Sequence, residues 1–127
     1  MLNCNKLTRI YFSPSFFYDS NSLWNNYVPA NFCIIIINNG GGNIFRIIPG
    51  PDKTKALNQF FSTEHKRKAS GFASMYGFDY ALVNNAMGLK TELNSLFNKQ
   101  EKPKIIEVDT SEIENHKILK SYFKSLK

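Results

Sequence analysis

The chain has 127 residues and carries 16 Lys and Arg against 10 Asp and Glu, a formal net charge of +6, with a sequence pI near 9.4. Such a length bounds it to one domain and excludes a two-domain enzyme, while 43% hydrophobic and 14% aromatic residues exclude a disordered chain. The basic balance favours anionic partners, including phosphates and nucleic acid, although a solvated Lys-rich surface gives the same count.

The first predicted element is a short strand over Leu7 to Phe12, closed by a break at Ser13-Pro14-Ser15. A helix is expected over Ser20 to Tyr27, capped by Asp19 or Ser20, with Leu23, Trp24 and Tyr27 on one face. Phe32 to Asn38 reads as a strand. Its four consecutive isoleucines predict burial on both faces, the pattern of a parallel sheet. This strand runs into Asn38-Asn39-Gly40-Gly41-Gly42-Asn43-Ile44-Phe45, and Pro49-Gly50-Pro51 ends the segment that follows. A short helix is expected over Thr54 to Phe61. A longer one over Thr63 to Tyr76 carries Ala69, Phe72, Ala73 and Tyr76 on one face and stops at Gly77. Asp79 to Val83 is a strand. Ala86 to Asn98 is a helix with Leu89, Leu93, Leu96 and Phe97 on one face, and Lys104 to Asp109 is a strand. Ser111 to Leu126 is a helix with a stripe of Ile118, Leu119, Tyr122, Phe123 and Leu126 and a capping box of Ser111 with Glu114. Strands alternating with helices at this spacing predict βαβ units: a three-layer α/β fold with a mostly parallel sheet.

Cys4 and Cys33 form no CxxC pair, so a zinc site is not expected, and Cys33 reads as a small core residue. The absence of a disulfide framework makes a cytoplasmic location the expectation. No apolar run approaches the ~20 residues that span a bilayer, and no signal peptide or membrane partner is expected.

The chemistry concentrates after the second strand. Open α/β sheets place ligands at the carboxyl ends of their strands. Glycines there let the backbone approach a phosphate, and asparagine supplies neutral oxygen ligands suited to magnesium or calcium. The Gly triplet is neither a P-loop, for lack of a GK[ST], nor a dinucleotide fingerprint, for lack of GxGxxG spacing. Alone, it is equally a plain tight turn.

The strings Ser15-Phe16-Phe17-Tyr18-Asp19-Ser20-Asn21-Ser22-Leu23-Trp24, Asn38 to Arg46, Ile48-Pro49-Gly50-Pro51, Thr63-Glu64-His65 with Phe72-Ala73, and Ile105-Ile106-Glu107-Val108 carry a resemblance. From Ser15 to Asp109, about three quarters of the chain, it resembles the C-terminal, thiamine-diphosphate-binding domain of the 2-succinyl-5-enolpyruvyl-6-hydroxy-3-cyclohexene-1-carboxylate synthases, the MenD family of menaquinone biosynthesis. The resemblance implies a single partial domain over 1–127, incomplete at its N-terminus. It implies thiamine diphosphate and Mg2+ as cofactors. Asn39 and the Gly41 carbonyl would bind the metal, while Ser15, Phe16, Asn39, Gly40, Gly41 and Asn43 would meet the cofactor. Backbone amides near Ser15 and Phe16 would face the diphosphate at a helix start, where anions are favoured. Ile44 and Phe45 would lie beside the substrate. The family reaction decarboxylates 2-oxoglutarate and adds the product to isochorismate.

Two features depart from the family. A Gly-Asp pair precedes the matching helix in the family, and this chain has Phe12-Ser13 there. Ser13 stands 26 residues before Asn39, a spacing that fits the metal motif, but a hydroxyl replaces the carboxylate. Residues 1–13 are unlike the family, which suggests a frameshift, an alternative start or a truncated gene. The family's separate pyrimidine-binding domain, which activates the cofactor across a subunit interface, has no counterpart here. No catalytic residue is therefore expected in this chain. The missing domain or a second subunit would be its partner, and the complete enzyme would be a homo-oligomer.

His65 opens the basic run His65-Lys66-Arg67-Lys68 and is expected to be structural at a helix start; His116 has no assigned role. No nucleic-acid module surrounds that run, and nucleic acid is not an expected partner. Glu92, Glu107, Asp109, Glu112 and Glu114 do not read as a paired acid–base site. Two classes remain: the cofactor-binding fragment of a decarboxylating transferase, inactive alone, and a noncatalytic remnant or partner-dependent interaction module. A domain of another thiamine-diphosphate enzyme, such as an acetolactate synthase relative, fits the Ile-Pro-Gly-Pro and Thr-Glu-His strings less well.

Overall fold

A computed structural model describes residues 7–50 and 53–126, so Cys4 and Pro51 of the motifs above lie outside the described residues. The chain divides into two compact units, one built from residues up to Asn38 and from Lys68–Asp109, the other from Asn39–Arg67 and from Thr110 onward.

The first unit holds four strands, β1 (Leu7–Phe12), β2 (Phe32–Asn38), β3 (Asp79–Val83) and β4 (Lys104–Asp109), each with the bounds expected from the sequence. They form an all-parallel sheet in the order β1-β2-β4-β3. Parallel neighbours need crossover helices, and these cover both faces. On one face Ile34, Ile36 and Ile105 pack with Phe16 of α1 (Ser13–Asp19), with Ala69 and with Ala73 of α2 (Ser70–Tyr76). On the other, Cys33 and Ile106 pack with Val83 and Leu96, and Leu89 and Leu93 of α3 (Ala86–Ser95) lie against them. Each fully buried Ile contributes about 1.5–3 kcal/mol, which concentrates the stability of this unit in β2 and β4. Edge strand β1 has a partner on one side only among the described residues, and its Leu7, Ile10 and Phe12 are exposed.

The helices depart from expectation more than the strands. Ser13-Pro14-Ser15 is not a break but the first turn of α1. Proline is at home there, because its missing N–H would have had no intrahelical acceptor. Past α1 only a 3-10 turn, Ser20–Leu23, replaces the expected helix. The Asn25 side chain donates to the Ser22 carbonyl and accepts from the Tyr27 N–H, and these local bonds compete with helix continuation. Leu23 is buried while Trp24 and Tyr27 are exposed. The expected helix from Thr63 starts only at Ser70, after an irregular 63–68 segment. Its stop is as expected: Gly77, at φ +74°, takes the left-handed cap. Helix α3 starts at a side-chain cap, Asn85 Oδ1 accepting the Gly88 N–H at 2.8 Å, and ends three residues before Asn98.

In the second unit the turn after β2 leads into a 3-10 turn, Asn43–Arg46. A π-type turn, Leu57–Phe61, stands where a helix from Thr54 was expected. Helix α4 (Asn115–Ser125) begins four residues late, so its N-cap is Glu114 rather than Ser111, without a side-chain cap bond from Glu114. Instead Glu114 pairs with Lys117 at 2.6 Å, which lowers its pKa, and Asn115 Nδ2 donates to the Thr110 carbonyl at 2.8 Å. The apolar stripe of Ile118, Leu119, Tyr122, Phe123 and Leu126 is exposed.

Candidate functional site

In the first unit the expected site residues gather where the parallel strands end. Phe12 pairs with Ile37 and Asn38 with Asp109, so β1, β2 and β4 finish side by side. Ser13 leaves β1 as the first residue of α1 and is fully buried. The first N–H groups of a helix have no intrahelical acceptor, and Ser15 falls among them, whereas Phe16 is the first residue placed to donate back to the N-cap carbonyl of Phe12. The Phe16 side chain does something else. It is 1% exposed and meets Tyr11, Phe17 and Phe72 edge to face, so the ring is core and not a ligand contact.

Beside these ends lies a polar cluster. Glu107 of β4 is fully buried. Its Oε1 accepts from Asn38 Nδ2 at 2.5 Å, and its Oε2 accepts from the Ala69 N–H and the Tyr80 hydroxyl, both at 2.7 Å. Burial, the bond to Glu107 and the nearby charges of Glu107 and Asp109 raise the Tyr80 pKa far above its ordinary value. Lys68 forms an ion pair with Asp109. The sequence offered one signal for this cluster, a lone carboxylate between Ile106 and Val108, but nothing in it names three donors from distant segments.

In the second unit Asn39, Gly40, Gly41, Asn43, Ile44 and Phe45 share one turn. The Gly41 N–H donates to Asn39 Oδ1 at 3.4 Å, and the Asn43 N–H donates to the Gly41 carbonyl at 3.2 Å. Each of those two oxygens has a second lone pair able to meet a cation. Segment 62–65 clamps the turn: the Gly42 N–H donates to the Ser62 carbonyl at 2.6 Å and the His65 N–H to the Gly40 carbonyl at 2.9 Å. A Cβ on Gly41 would stand 2.6 Å from the Ser62 carbonyl oxygen, so the approach requires glycine. Gly40, at φ +75°, occupies the left-handed region. Ile44 is exposed, and the Phe45 ring lies 5.5 Å from that of Phe61. Arg46 pairs with Glu64 and donates to Asn58 Oδ1 at 2.8 Å. His65 is not at a helix start, because α2 begins at Ser70; its Nδ1 accepts the Arg67 N–H at 3.2 Å in the irregular segment before it. Ser62 Oγ is buried without a hydrogen-bond partner, and Thr63 is the one described non-glycine residue at positive φ, +42°.

Among the described residues no three His, Cys, Asp or Glu side chains converge as a metal cluster. A cation at the glycine turn would therefore rest on amide and carbonyl oxygens and on the anion it accompanies, a donor set that suits magnesium or calcium. The turn fits a diphosphate–metal pair. Among the described residues no helix is long and apolar enough to cross a membrane.

No family model matches the chain. It is 49% identical over 112 residues to a 2-succinyl-5-enolpyruvyl-6-hydroxy-3-cyclohexene-1-carboxylate synthase of Flavobacterium johnsoniae, covering 88% of this chain and 20% of the relative. Synthases of the same name from Christiangramia forsetii and Flavobacterium psychrophilum are 42% identical over 113 residues and 46% identical over 112. The chain thus spans about one fifth of the length of the curated relatives it matches.

Proposed function

We propose that this chain, a homologue of one region of the 2-succinyl-5-enolpyruvyl-6-hydroxy-3-cyclohexene-1-carboxylate synthases, is a fragment of the C-terminal part of such an enzyme and supplies its diphosphate- and magnesium-binding half. The observation that carries the reading is 49% identity sustained over 88% of the chain. The glycine turn, which leaves no room for a Cβ at Gly41, supports it. In the complete enzyme thiamine diphosphate supplies the carbanion chemistry that decarboxylates 2-oxoglutarate and adds the product to isochorismate. The residues here bind and orient. Asn39 Oδ1 and the Gly41 carbonyl would hold magnesium, backbone amides near Ser15 and Phe16 would take the diphosphate, and Ile44 and Phe45 would border the substrate. Activation of the cofactor falls to the pyrimidine-binding domain of the complete enzyme. An adjacent reading frame encoding that domain would support a split enzyme, and its absence a noncatalytic remnant.

Calorimetric titration with magnesium and thiamine diphosphate tests the reading. The unaltered chain is expected to bind more weakly than micromolar, because Ser13 brings no carboxylate. Ser13→Asp should strengthen the magnesium dependence about tenfold, since affinity follows ligand charge. Micromolar binding by the unaltered chain would refute the view that Ser13 weakens the site. An unchanged magnesium dependence in Ser13→Asp would refute the alignment of Ser13 with the metal-binding Asp.

A further inference from the structure

Glu107 belongs to the string Ile105-Ile106-Glu107-Val108 but has no place in the function just proposed. Burying a carboxylate is costly unless its oxygens are hydrogen-bonded. Here both are: Asn38 Nδ2 reaches one oxygen at 2.5 Å, and the Ala69 N–H and Tyr80 hydroxyl reach the other at 2.7 Å. One side chain of β4 thereby ties together the end of β2, the start of β3 and the entrance to α2. Its contact with β2 falls on Asn38, which is 2% exposed and immediately precedes Asn39.

We propose that Glu107 is a positioning residue for the Asn38–Asn39 turn. By fixing the Asn38 amide it sets the direction in which the backbone leaves β2, and with it the presentation of Asn39. This rests on the reading of Asn39 as a metal ligand, but the hold of Glu107 on Asn38 can be tested without any cofactor.

The geometry dictates the variants. In Glu107→Gln the one amide oxygen goes to the Ala69 N–H, which cannot turn over. The new Nε2 then faces Asn38 Nδ2, donor against donor. Adding Asn38→Asp presents an oxygen to that Nε2 and restores the bond with its polarity reversed. Hydrogen exchange of the 38–43 peptide is expected to quicken about tenfold in Glu107→Gln, beyond any change in α3 and β3, and to return within about threefold of the original in the double variant. Unchanged exchange in Glu107→Gln would overturn the proposal; so would acceleration equal to that of α3 and β3, or a double variant no better than the single. Titration of the three proteins with magnesium thiamine diphosphate forms a separate arm. Binding by none of them even at millimolar cofactor would overturn the functional reading, whereas the exchange pattern alone decides the positioning role.

Discussion

Gly41→Ala should be the most damaging single-methyl change in the glycine turn. The added Cβ would stand 2.6 Å from the Ser62 carbonyl oxygen and 3.3 Å from Glu64 Cα, both backbone atoms. Relief requires the turn and segment 62–65 to part. The bonds at risk are Gly42 N–H to Ser62 O and His65 N–H to Gly40 O. Overpacking of this kind costs about 1–3 kcal/mol, and a weakened hydrogen bond adds about 0.5–1.5 kcal/mol. The expected loss is about 2–4 kcal/mol, a large part of the ~5–15 kcal/mol that holds a domain together. Thermal melting followed by circular dichroism should show a fall in Tm of about 7–15 °C. Gly71→Ala is the control. It lies in α2 with nothing within 4 Å of a new Cβ, and should stabilise by up to about 1 kcal/mol. A Gly41→Ala protein melting within ~2 °C of the original would refute the claim that this turn is closed to a side chain.

Other outcomes follow from single groups. Ser62→Ala should leave stability unchanged or raise it by about 1 kcal/mol in denaturant titration, because the buried hydroxyl has no partner to lose. Ile106→Ala, at a fully buried centre of the sheet, should cost about 2–5 kcal/mol by the same titration. Tyr80 should ionise last among the 6 tyrosines in an absorbance titration. Its folded pKa lies above the unfolded value of 10.0, so the stability it contributes is complete below that pH and declines as pH rises beyond it. Tyr80→Phe should flatten that alkaline decline; a slope unchanged by the substitution would place its origin elsewhere.

The strands were legible because their signal is local. Cys33 to Ile37 is uniformly apolar, and Asn38 and Phe32 bracket it, so even the boundaries match. Helix limits were less legible, since side chains competing for backbone bonds decide them. Pro14 reads as a breaker or as a first-turn residue depending on what precedes it, and Asn25 ends a helix that its apolar spacing would extend. Glu114, expected to close a capping box, goes to Lys117 three residues on. The glycine run was legible as a turn through its composition. Its clamp was not, because nothing local in Ser62-Thr63 reveals that Ser62 offers its carbonyl to Gly42. Glu107 was the hardest to see, as its three partners come from separate stretches of chain.

The bond between Asn38 and Glu107 joins residues 69 positions apart. The centre of the sheet therefore pairs early chain with late chain, and β3 reaches the sheet only through β4. Loop closure on that scale must precede most of the stabilising contacts, which places folding toward the slow, millisecond-to-second end for small domains. During synthesis β1 and β2 would emerge long before β4, leaving the isoleucine strand with one long edge unpaired. The same order that builds a well-covered sheet thus sets a window in which the nascent chain is exposed to aggregation.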